Sequence, residues 1–147
     1  MIRSGLHHVA FAAATLCLCT AALAGDHSRH CSAATLSGNW MFAGTGYTLV
    51  GGAWVPKAIV QQTHFGGDGT VSVPVGTVAN RAGDGAVTPL APAVLTGTYT
   101  LQANCVGAYQ ITGGPSFDIY ADPDGRAAWM IQTNPNNVFQ VKIVRVD

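Results

Sequence analysis

The sequence predicts an all-β fold, an antiparallel up-and-down barrel of about eight strands. Three observations carry this. Segments along the chain alternate apolar and polar side chains with period two. From Leu95 to Leu101, Leu95, Tyr99 and Leu101 share one face of an extended segment while Thr96, Thr98 and Thr100 share the other. The links between such segments are turn sequences, among them Gly66-Gly67-Asp68-Gly69, Asp122-Pro123-Asp124-Gly125 and Asn134-Pro135-Asn136-Asn137. No amphipathic helix of any length is found, and the wealth of Gly, Thr, Val and Ala favours strands and turns.

Taken in order, residues 1–24 read as a signal peptide. Arg3 and two histidines precede an apolar run from Val9 to Thr20, and Ala22-Leu23-Ala24 is a small-x-small cleavage site. The run is too short for a bilayer span, which needs about 20 residues. Residues 25–35 form a polar N-terminal arm, and 36–147 a single barrel domain. Cleavage removes Cys17 and Cys19, leaving Cys31 and Cys105, which are expected to pair in an oxidising compartment and tie the arm to a hairpin corner. The exported product belongs in the periplasm or the medium.

Leu36 to Phe42 opens the first strand, with Trp40 and Phe42 on one face, and Gly44, Gly46, Gly51 and Gly52 loosen the stretch after it. Trp54 to Phe65 is the second strand. Val71, Val73 and Val75 share a face in the third. Gly76 to Pro92 has no clear period; it is a long loop or hides a strand near Thr77 to Arg81. After the hairpin cornered at Cys105, Tyr109 and Ile111 alternate. Phe117 and Ile119, then Ala127, Trp129 and Ile131, then Phe139, Val141 and Ile143 mark three further strands. Closure into a barrel removes the exposed edges of such a sheet.

Charge is sparse. The part after residue 24 has six Lys and Arg against seven Asp and no Glu, so it lacks the basic stripe that a nucleic-acid or anionic-membrane partner needs. No transmembrane segment is expected in the mature chain.

The landmarks Cys31…Leu36-Ser37-Gly38-x-Trp40-x-Phe42, Phe65-Gly66-Gly67-Asp68-Gly69-Thr70-Val71, Gly97-Thr98-Tyr99-Thr100-Leu101 with Asn104-Cys105, and Ile131-Gln132-Thr133-Asn134-Pro135 resemble small secreted bacterial proteins. These are similar to lipocalin-like or allene-oxide-cyclase-like barrels, the broad calycin group. The resemblance implies an exported eight-stranded barrel with one disulfide, and it supplies no catalytic set. The start also looks like an avidin strand, but Met41-Phe42-Ala43-Gly44 replaces the polar residues that would reach biotin.

A barrel of this size holds side chains or one small ligand. Trp40, Phe42, Tyr99, Tyr109, Phe117 and Trp129 are the candidate inward residues, and they serve equally as a ligand-binding wall or as a filled core. The leading functional expectation is binding of a small apolar ligand. One alternative is a calycin-like cyclase or isomerase. Asp118 is expected to face solvent, but in the opposite register Asp118, Tyr120 and His64 would line the interior and could move a proton. The other alternative is a filled barrel whose loops bind another protein. No G-x-S-x-G, P-loop or HExxH sequence is present. Cleavage after Ala24 would expose Gly25-Asp26-His27, whose amine, amides and imidazole make a square-planar site suited to Cu(II) or Ni(II), with His30 as an outer ligand. Mass spectrometry of the exported protein is expected to find Gly25 at the N-terminus; any other first residue removes that site.

Overall fold

Alternation in the sequence becomes strand along most of the chain. The computed structural model describes residues 30–80, 87–90 and 94–146, with backbone alone at 87–90. The signal segment 1–24, the Gly25-Asp26-His27 motif and part of the Gly76 to Pro92 stretch lie outside the described residues. A four-residue 3-10 turn, Ala33–Leu36, precedes the strands β1 Gly38–Val50, β2 Ala53–Phe65, β3 Thr70–Asn80, β4 Val87–Leu90, β5 Leu95–Leu101, β6 Val106–Ile111, β7 Ser116–Ala121, β8 Ala127–Gln132 and β9 Asn137–Arg145.

Every pairing is antiparallel. The strands run in the order β2-β1-β9-β8-β7-β6-β5-β3, and β2 pairs again with β3, so eight strands close into a barrel. The ninth, β4, pairs with Gly76 to Ala79 of β3, on the edge whose other half, Thr70 to Val73, pairs with β5. The stretch expected as a loop or a hidden fourth strand is thus partly β3 and partly this short strand. Gly44 and Gly46 do not end β1. It runs on to Val50, and Gly51 and Gly52, both at positive φ, make its turn into β2. The tip of this hairpin overhangs the barrel, because the β9 ladder stops at Thr48 and the β3 ladder at Lys57.

One register shift explains a difference from the alternation read in the sequence. Gln62 pairs with Val75 but His64 with Ser72, so Thr63 faces two residues, Val73 and Pro74. This β-bulge accommodates a proline that cannot donate to the ladder. It also inverts the faces on its two sides: Val71 and Val73 are buried, while Val75 is 53% exposed.

Trp129 is the second correction. It points outward and is 53% exposed, and Ala128, Met130 and Gln132 face the interior instead. β8 is apolar on both faces, so period alone does not orient it. Its register sets Met130 between the buried Ile119 and Val141, a tier in which a flexible methionine fits. Outside, Trp129 pairs with Tyr120 on β7 and lies under the Lys142 ammonium, 5.6 Å from the ring centroid.

One end of the barrel is closed by the 3-10 turn. Leu36 is wholly buried there, and the Trp40 indole donates to its carbonyl at 2.7 Å. Arg145, from the end of β9, stacks its guanidinium 4.8 Å from the Trp40 ring centroid and donates to the carbonyls of Gly125 at 2.7 Å, Thr35 at 3.0 Å and Ser37. The Cys31–Cys105 disulfide closes the same end, as expected. Cys105 sits at φ 66°, the left-handed position that ends a three-residue hairpin loop, with its N–H on Gln102 and the Gln102 N–H on Val106.

Within this half, edge-on aromatic rings fill the interior. Phe65 meets Trp40 at 6.0 Å and Tyr99 at 4.8 Å, and Phe117 meets Tyr109 at 5.6 Å and Phe42 at 5.8 Å. Each such pair contributes about 0.5–1.5 kcal/mol beyond area burial. The disulfide spans 74 residues, so its loop-closure entropy contributes about 4 kcal/mol. Reduction is therefore expected to lower the melting temperature by roughly 10–20 °C, read by circular dichroism with and without reductant.

Candidate ligand cavity

β2 mixes polar and apolar residues along its inward face and ends at a lysine. Running away from the closed end, its inward residues are Phe65, Thr63, Gln61, Ile59 and Lys57. The apolar wall is completed by Val78 on β3, Leu95 on β5, Ile111 on β6 and the aromatic pair Phe42 and Phe117. These residues enclose a cavity of about 210 Å³ in the half of the barrel away from the 3-10 turn. Its floor is Tyr109 with Gln61, and the half-buried Lys57, Asn80 and Pro115 stand at its mouth.

Tyr109 carries the most unusual polar atom. The residue is 1% exposed, yet its hydroxyl has no hydrogen-bond partner. Burial pushes its pKa far above the usual phenol range. Gln61 and Thr63 stand close enough to pull it slightly back, but neither makes a well-formed bond to it. Instead Gln61 Nε2 donates to Thr63 Oγ1 at 3.3 Å. Asn80 Oδ1 is a second buried atom without a partner.

Lys57 sits opposite Asn80 in the β2–β3 ladder. Its ammonium donates to Gln132 Oε1 at 3.3 Å and stands 4.8 Å over the Phe139 ring. Burial lowers its pKa. Phe139 can lie flat against β1 because Gly44 has no Cβ. A methyl there would sit 2.8 Å from the ring and 2.7 Å from Val141 Cγ2.

The residues expected at the site divide three ways. Phe42, Tyr109 and Phe117 line the cavity. Trp40 and Tyr99 belong to the packed end, where the Tyr99 hydroxyl accepts from Gly67 N at 3.0 Å and donates to Ala33 O at 2.8 Å. Trp129 lies outside. Asp118, Tyr120 and His64 all point outward, so the register that would have brought them to the interior does not occur. His64 Nδ1 lies 2.8 Å from Asn39 Oδ1, and Asp118 pairs across the ladder with Ile131 and Ala108. The acid–base set considered for a cyclase is therefore not assembled by these three residues. Among the described residues no three His, Cys, Asp or Glu side chains gather into a metal set, and Gly25, Asp26 and His27 lie outside them. No helix among the described residues is long and apolar enough to cross a membrane.

Sequence reasoning missed Lys57, Gln61 and Asn80. For the first two a signal existed, since they share the parity of Phe65 along β2. Asn80 was hidden by the bulge at Pro74.

Two larger but open depressions, about 740 and 620 Å³, run over the outer surface of β1, β2, β8 and β9. Small residues, Ala43, Thr45 and Ala58, form their floor, and Tyr47, Val60, Trp129 and Ile131 stand around them. They are more open than the interior cavity, and the larger of them reaches the cavity mouth at Lys57 and Asn80; the Tyr109 hydroxyl belongs to the interior cavity. Comparison with known proteins found no matching family model, no matching curated protein and no matching solved structure.

The Tyr109 hydroxyl has a pH signature. In the unfolded chain a tyrosine ionises near pH 10, while folded Tyr109 keeps its proton well beyond that. Its contribution to stability is therefore complete below pH 10 and declines above it, with a slope of about 1.4 kcal/mol per pH unit. Lys57 acts in the opposite sense and below 10.5, because its folded pKa is lowered. Denaturant unfolding at pH 9 and pH 11 is expected to show a loss smaller by about 1 kcal/mol in Tyr109→Phe than in the wild type.

Proposed function

We propose that this protein is an exported binding protein that holds one small, largely apolar molecule in the interior of its barrel. The carrying observation is the cavity itself: an apolar belt that ends at a buried hydroxyl with nothing to donate to. An unsatisfied buried hydroxyl costs about 1–3 kcal/mol, which supports a polar partner for Tyr109 inside the cavity. A ligand acceptor, or a water, removes that cost. The volume suits a molecule of about one ring, because an apolar cavity of about 150 Å³ already takes benzene.

Residues 1–24 direct the chain out of the cytoplasm in this reading, to the periplasm or the medium. The paired Cys31 and Cys105 support it, since disulfides persist in oxidising compartments. Kinship with lipocalin-like or allene-oxide-cyclase-like barrels is proposed on the same footing, from the closed eight-stranded antiparallel barrel and the sequence landmarks.

A protein-interaction module is the second reading, and a different observation favours it. Tyr120, Trp129 and Val60 are each half exposed and belong to one outward belt crossing β7, β8, β9, β1 and β2, where Lys142 and Ala43 fill the remaining places. Contiguous exposed apolar surface of this kind marks contact sites.

Toluene is expected to raise the melting temperature of the wild type saturably. Leu95→Trp, which fills the cavity from its half-exposed rim, is expected to melt within a few degrees of the wild type and to show no such rise. An equal rise in the variant would move binding to the outer surface, and no rise in either protein would leave the interaction reading in its place.

A further inference from the structure

Resting on the binding function just proposed, the chemistry of the cavity mouth goes one step further. Among the described residues, Lys57 is the only charged side chain in the cavity lining. The aspartates of the described residues lie elsewhere: Asp68, Asp122 and Asp124 in turns at the closed end, and Asp118 on the outer face. Among the described residues, the groups packed towards the ammonium are Asn80 from β3, Gln132 from β8 and Phe139 from β9, none of which titrates or carries charge. The amine is thus partly removed from water with only a neutral amide oxygen at 3.3 Å and a ring face to compensate it. A partly buried cation without a counter-ion is poorly compensated.

Next to it stands the orphaned Asn80 amide. Oxygen and nitrogen of such a group are assigned from their partners. A half-turn puts two N–H donors where the unpartnered oxygen is. Ammonium and amide then form a donor pair at the mouth. Below them lies the belt of Ile59, Val78, Leu95, Ile111 and Phe117, and below that the free Tyr109 hydroxyl. From Lys57 to Gln61, beside Tyr109, β2 rises by about 13 Å, and part of that depth is taken up by the lysine side chain.

We propose that the ligand is a small monocarboxylic acid of one ring or a short chain, bound with its carboxylate at the mouth against Lys57 and Asn80 and its apolar body in the belt. A polar acceptor at its far end meets the Tyr109 hydroxyl. A charge-assisted N–H···O bond to the carboxylate supplies the missing counter-ion, and the entering body stays dry.

The test uses three probes of one shape and different charge: benzoate, benzamide and benzylamine, titrated calorimetrically into the oxidised protein at neutral pH. Benzoate is expected to bind at least 10-fold more tightly than benzamide, and benzylamine more weakly than either. Lys57→Gln is expected to erase the preference while keeping benzamide binding, and Lys57→Arg to keep the preference. Benzoate affinity is expected to fall as pH rises through the Lys57 pKa, which burial holds below 10.5. Equal affinity of the wild type for benzoate and benzamide would overturn the carboxylate assignment and leave the binding function standing. If none of the three binds, the carboxylate assignment falls too, and the toluene response alone decides the cavity-binding reading.

Discussion

Arg145 is the constraint on which the rest of the barrel depends. A closed sheet of eight strands has two open ends, and something must seal one of them for an interior to exist. Here the 3-10 turn and the disulfide cover the end, and one guanidinium ties the turn to the strands. It lies over Trp40 and gathers carbonyls from the 3-10 turn, from Ser37 and from the β7–β8 turn. These carbonyls belong to segments outside the sheet ladder. A planar fork with several fixed donors suits that task, and a lysine point charge would not. The same residue ends the strand that pairs with β1, so sealing and circular closure are joined at one place.

Sealing one end sets a polarity along the barrel axis. Near the seal, polar groups are satisfied: the Trp40 indole, the Tyr99 hydroxyl and the turn amides all have partners. Towards the other end Lys57, Gln61 and Gln132 find side-chain partners, but Tyr109 and Asn80 each keep a buried atom without one. Aromatic rings give way to Ile, Val and Leu, then to Lys and Asn. The interior is thus packed beside the disulfide and Arg145 and holds its cavity in the opposite half. Packed rings and the cavity occupy different halves of one core.

Much of this could be read from residues alone. Turn sequences placed the hairpins, and alternation oriented Trp40, Phe42, Tyr99, Tyr109, Phe117 and Phe139 correctly. The disulfide came from counting cysteines. Failures arose where a local pattern carried two answers or none. Trp129 lies in a strand apolar on both faces, so only the neighbours of Met130 decide its direction. Val75 lies past a bulge, and one extra residue inverts every later side chain. Lys57 entered the sequence reading only in the charge count, because its half-buried setting depends on residues distant in sequence, Asn80, Gln132 and Phe139. Arg145 acts on Thr35 across 110 residues of sequence, a distance no periodicity reveals.

The overhanging tip of the β1–β2 hairpin has one more consequence. Beyond the Leu49 N–H, which donates to the Asn136 carbonyl, and beyond Lys57, the ladders to β9 and β3 have ended, and Val50 and Trp54 are open to water. An isolated two-stranded ribbon is marginal by itself. Opening free energy therefore runs downhill along the axis, from the stapled floor to this tip, and backbone amides exchange with solvent in the reverse order. Trp54 and Trp40 stand at the two extremes of that gradient, one tryptophan for each.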